Sequence, residues 1–175
     1  AVGMIGLPED VREMFWAARR GELPTRHALS VTPVSNIDPS QAPEGQSMAY
    51  IYLAAIAVKL RDGPWTQERK NLAMRAILAQ VAEYYDGFDE EIGRFVESPI
   101  DRQQRVHISN GCVTHIDFAS TRSGLKRPAY GLGGPKPVVP GFFLGGAGIH
   151  PGGGVTGLPG RMTADRVKRY LKKNS

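Results

Sequence analysis

Apolar positions recur at helical spacing in three stretches of the chain and cluster as short solid runs in three others. Val11, Met14, Phe15 and Ala18 fall at i, i+3, i+4 and i+7, which predicts a helix over Pro8 to Gly21. Pro8 suits its first turn, Glu9 and Asp10 its positive end, and Gly21 its stop. Met74, Ile77, Leu78, Val81, Tyr84 and Tyr85 form a second stripe, predicting a helix over Thr66 to Tyr85 with Thr66 as N-cap and Gly87 beyond its end. A third helix is expected from Thr156 or Pro159 to Lys172, with Ala164, Val167 and Leu171 inward. Ser98, Pro99 and Asp101 open a short fourth helix.

The solid runs read as strands. His27 to Val34 is one. Met48 to Val58 is a buried strand or a short core helix, and Ile51, Tyr52 and Ile56 lean it toward strand. Ile92 to Glu97 reads as a strand, and "GFFLGGAG", Gly141 to Gly148, as a short buried one. Ser35 to Gly45 is a loop, and Asn110 to Pro140 is irregular, with "GLGGPKPVVP" its densest breaker cluster. The expectation is an α+β fold. A mixed or antiparallel sheet carries flanking helices over 1–140, and a strand, glycine loop and helix follow over 141–175.

Composition narrows the function classes. A chain of 175 residues can bury a real core. The net charge of +5 owes much to Arg161, Arg166, Lys168, Arg169, Lys172 and Lys173. These read as a solvated helix end, because only Tyr170 is interleaved with them and a nucleic-acid surface wants stacking aromatics. Cys112 stands alone, which excludes an internal disulfide and suits a reducing, cytoplasmic location. The longest apolar run is about half of what a spanning helix needs, so the chain is expected to be soluble, with peripheral membrane contact left open. No metal-ligand spacing links His27, His107, His115 and His150, and no G-x-S-x-G elbow is present. Asp117 and Arg122 read as a surface ion pair before a substrate contact.

The densest chemistry lies in "GGAGIHPGGGVTGLPGR", Gly145 to Arg161, where Gly152 to Gly157 matches G-x-G-x-x-G. Glycines let backbone approach a ligand, and a following helix turns its N–H groups and positive dipole end toward an anion or an electron-rich oxygen. A Rossmann opening is excluded by position. That fingerprint needs a βαβ unit and an acidic residue about 20 positions on, beyond Ser175.

"FFLGGAGIHPGGGVTGLPGR" resembles the C-terminal flavin-binding motif of the phytoene dehydrogenase-related FAD oxidoreductases, a group akin to the amine oxidases. "NIDPSQAPEGQ" and "RPAYGLGGPKPVVPG" resemble upstream segments of the same family, so the likeness runs from about residue 24 onward. Ile149 stands where Ser or Thr is common, and "RMTA" replaces a more usual Arg-Asn-Ala-Ala. The resemblance implies FAD held by Gly148, His150, Pro151, Gly152, Gly153, Gly154, Val155, Thr156 and Gly157, with hydride passing between a lipophilic substrate and the flavin. It assigns no catalytic residue. His150 is either a flavin or proton-handling contact or a structural orienter of the loop. The resemblance also implies that the half binding the ADP part of FAD is missing, so that residues 1–140 form part of a substrate domain and 141–175 the end of the FAD domain. On that reading the chain is a fragment that associates with the missing half or with a second copy. A non-catalytic binding or assembly module is the alternative, and a small anion- or nucleotide-binding protein a third.

Overall fold

The computed structural model describes residues 3–53, 55–88, 90–117, 119–134, 137 and 139–174. The chain divides into two compact units, Ala1–Arg105 and Val106–Ser175.

The first unit is built on three antiparallel strands in sequence order: β1 (Gly3–Ile5), β2 (Leu29–Pro33) and β3 (Ala49–Leu53). Leu29 pairs with Ile5 on one side and Leu53 on the other, and Val31 pairs with Gly3 and Ile51. Alternation along β2 therefore puts Leu29 and Val31 on one face. There they pack with Ile5 and with Ile77 and Val81 of α2 (Gln67–Ala82), while Ile51, Leu53, Tyr85 and Phe88 close the cluster. Each such side chain, fully buried, contributes about 1.5–3 kcal/mol. The Thr66 hydroxyl caps α2 by accepting from the Arg69 N–H. Gln80 is the buried polar member of the same helix face.

Helix α1 (Pro8–Arg20) ends at Gly21, as the sequence predicts, but its buried seam is Asp10, Met14 and Ala17. Val11 and Phe15, expected inside, are exposed. The seam is turned by one residue because the Asp10 carboxylate is used at the helix start, where it accepts the Leu7 N–H at 2.8 Å. Two other expectations fail in this unit. The Ile92 to Glu97 segment forms no strand, and among the described residues of Met48 to Val58 the strand stops at Leu53. Helix α3 (Pro99–Val106) has no buried residue; its start is tied to Ser98, whose N–H and hydroxyl both donate to Asp101.

The second unit contains no strand among its described residues. Short 3₁₀ turns at Ser109–Gly111, Ser120–Arg122 and Gly124–Lys126 lead to α4 (Leu158–Asn174). The predicted strand "GFFLGGAG" is irregular chain lying along α4 instead. The Phe143 ring meets Tyr170 edge-on at 5.4 Å, and the Thr163 hydroxyl donates to the Leu144 carbonyl at 3.0 Å. A strand needs a neighbouring ladder, and here a helix side chain takes the carbonyl. The inner face of α4 is only in part the expected one, since Val167 lies on it. Pro159 is buried and Met162, Thr163, Arg166, Val167 and Tyr170 are half-buried, whereas Ala164 and Leu171 are exposed. Residues 135, 136 and 138 of the breaker cluster lie outside the described residues.

Candidate functional site

The glycine loop is shaped from its base. Arg127 is wholly buried. Its Nη2 donates to the carbonyls of Thr114 (2.7 Å), Ile116 (2.8 Å) and Ala147 (3.1 Å), and its Nη1 to that of Asp117 at 3.1 Å. One guanidinium thus binds the 114–117 segment to the residue just before Gly148. Five donors in a rigid fork make arginine the side chain suited to this. Neighbouring backbone closes in as well: a Cβ at Gly133 would overlap the Leu125 and Arg127 carbonyls, so no larger residue fits there.

Above this base the chain turns sharply. Gly146 accepts from the Ile149 N–H and Ile149 from the Gly152 N–H at 2.7 Å. The His150–Pro151 peptide is cis. Gly152 and Gly154 then take φ of +105° and +115°, a region that L side chains rarely adopt. Gly153 lies against Ala147, where an added Cβ would come within 3.2 Å of the Ala147 methyl. Val155 has φ of +58° with its side chain fully in solvent, which is unusual for a β-branched residue.

Sequence reasoning placed the free donors at the start of the helix, and the structure extends them into the loop before it. At the helix start the Leu158 N–H is taken by the Thr156 hydroxyl, Pro159 has no N–H, the Arg161 N–H is taken by the Gly157 carbonyl at 3.1 Å, and the Gly160 N–H has no acceptor among the described residues. The N–H groups of residues 153–157 also have no acceptor among the described residues. Three of these five residues are glycines, with Val155 and Thr156 carrying the side chains, and amides of this kind suit an oxygen-rich or anionic ligand. The arrangement therefore fits the edge of a ring that carries carbonyl oxygens. Of the residues singled out from sequence, Gly148 and His150 are half-buried, Gly152 is buried, and Pro151, Gly154, Thr156 and Gly157 are exposed.

Outside the loop, Asp117 and Arg122 form an exposed ion pair at 2.8 Å. In the first unit an open groove of about 420 Å³ is lined by Lys70, Phe95, Glu97, Asp101 and Arg105. Its charges satisfy one another. Lys70 meets Asp101 at 3.0 Å and Arg105 chelates Glu97, holding that carboxyl below its usual range.

No family model matches the chain, and no solved structure does. The chain is similar to the "Pyridine nucleotide-disulfide oxidoreductase domain-containing protein 2" of Rattus norvegicus, at 29% identity over 156 residues. The protein of that name from Mus musculus is 28% identical over 156 residues. Each alignment covers 87% of this chain but 27% of the relative, so the chain spans about a quarter of the length of the curated relatives it matches.

Proposed function

We propose that this chain is part of a flavin-dependent oxidoreductase and that the 148–157 loop holds the flavin. Two findings support the reading. The relatives along most of the chain carry an oxidoreductase-domain name. The loop offers five adjacent acceptor-free amides, three of them on glycines. The second observation carries the reading furthest, because it is a property of this chain's own backbone.

Bound there, FAD supplies hydride acceptance from a lipophilic substrate, as in the phytoene dehydrogenase-related enzymes the motif resembles. The chain's share is positioning and electrostatics. The amides of 153–157 would hold an oxygen-bearing edge of the flavin and would favour negative charge on it. Val155 presents an apolar surface beside them, and Arg127 holds the base of the loop in register.

The test is an absorbance spectrum of the purified chain, before and after FAD addition and desalting. Retained flavin bands in the near-ultraviolet and blue are expected. A colourless chain that loses all added FAD overturns the reading for this polypeptide and favours the non-catalytic assembly module.

A further inference from the structure

The residue facing the start of the glycine loop is one to which the motif assigns nothing. A methyl placed on Gly148 would sit 3.7 Å from the Cβ of His115 and 3.9 Å from the Cδ1 of Ile116. His115 therefore stands directly against the first loop residue. It is held there from both sides. The Thr114 and Ile116 carbonyls that flank it accept from the same Arg127 nitrogen, at 2.7 and 2.8 Å. Its own N–H donates to the Cys112 carbonyl at 2.8 Å, and the Thr114 hydroxyl donates to the Ile116 carbonyl at 3.0 Å. The backbone at His115 is left-handed, with φ of +62°. Histidine is among the side chains that adopt this conformation more readily than most, and the Arg127 and Cys112 contacts fix it here. The side chain so presented is exposed, and among the described residues its imidazole has no hydrogen-bond partner.

The geometry points to His115 as a ligand-contacting residue of the loop site, its imidazole N–H donating to an oxygen on the edge of the bound flavin ring. Arg127 is then a positioning residue, acting through the two carbonyls beside His115. This assignment rests on the flavin reading above and adds a specific side-chain donor to the backbone donors of 153–157. A fixed imidazole is a directional donor that costs little ordering entropy when the ligand arrives.

The experiment is an FAD titration of the full 175-residue chain with isotope-labelled histidine, following the imidazole resonances of His115 and His150. Two variants accompany it. H115G removes the imidazole at a position whose φ suits glycine, and H115N keeps a short donor at a φ asparagine tolerates. The expected result is a His115 shift on FAD addition. H115G should weaken FAD about fivefold, the loss of one ordinary hydrogen bond, and H115N should recover part of it. A purely structural role would leave the His115 resonances unmoved. If FAD binds and shifts His150 alone, and H115G binds as the wild type does, the role of His115 is overturned and the flavin reading stands. If the wild-type chain binds no FAD, both fall together.

Discussion

His27 shows how one buried side chain makes stability depend on pH. It is 1% exposed, and its Nδ1 has no hydrogen-bond partner. Burial pushes its pKa below the ordinary value of 6.5; Gln80 and Asp10 oppose the shift and Arg26 adds to it. The unfolded chain therefore binds a proton at His27 more readily than the folded one does. That stabilisation is fully present above pH 6.5 and is lost as the pH falls below it. The carboxylates held low, among them Glu83 and Glu97, act only below their ordinary 4.5. A fall in Tm between about pH 7.5 and pH 5.5 should thus belong to His27 and be flattened in His27→Gln. Equal pH dependence in both proteins would refute it. Val155 is the second residue-scale case. Its left-handed φ is costly for a β-branched residue, by roughly 1–2 kcal/mol. Val155→Asn should raise Tm by about 2–4 °C, because asparagine tolerates that conformation. It should also weaken FAD by removing the apolar face beside the amides, and calorimetry with an FAD titration reads both effects.

At the scale of elements, apolar packing joins α2 to the sheet, and polar contacts hidden from the sequence add to it. The Gln80 side chain donates to the His27 carbonyl and accepts its N–H, both at 2.8 Å, stitching α2 to the chain leading into β2. Gln80→Leu should strand two buried backbone groups, at about 1–3 kcal/mol each, read as a lower urea midpoint. In the second unit Arg127→Met strands four carbonyls by the same logic. Hydrogen exchange should then rise across 106–175 while β1 to β3 stay protected. The helices themselves, the Thr66 cap and the Gly21 stop were legible because helical spacing and capping are local, whereas the buried faces of α1 and α4 were set by contacts the sequence does not show. Strand β1 was not, since three residues carry no period of their own and Gly3 to Ile5 is strand only because β2 lies beside it. The "GFFLGGAG" segment failed for the converse reason: its apolar run promised a ladder, and the chain supplied α4 instead. The glycine loop was legible as a motif. The Arg127 lock and His115 were not, because 12 positions separate them in sequence and only the fold brings them together.

At the scale of the whole molecule, each unit leaves apolar surface uncovered. In the first, Met4 of β1 is exposed, as are Leu7, Val11 and Phe15, spaced four apart into and along α1 with Arg19 over the Phe15 ring. In the second, Phe142, Val155 and Leu158 are exposed, while Phe143 and Leu144 are half-buried. Exposed apolar side chains of this size are the surface on which association sites form. The chain is therefore expected to self-associate, with a light-scattering mass that rises with concentration. The two surfaces can be separated by substitution. V11S/F15S should restore a monomer if the α1 stripe is the contact. F142S should do so if the contact lies beside the glycine loop, and in that case added FAD should compete with self-association, since ligand and partner would cover the same face. If the loop face is the contact and FAD leaves the mass unchanged, the flavin must sit elsewhere. A wild-type chain that stays monomeric up to high concentration would show that neither surface drives self-association.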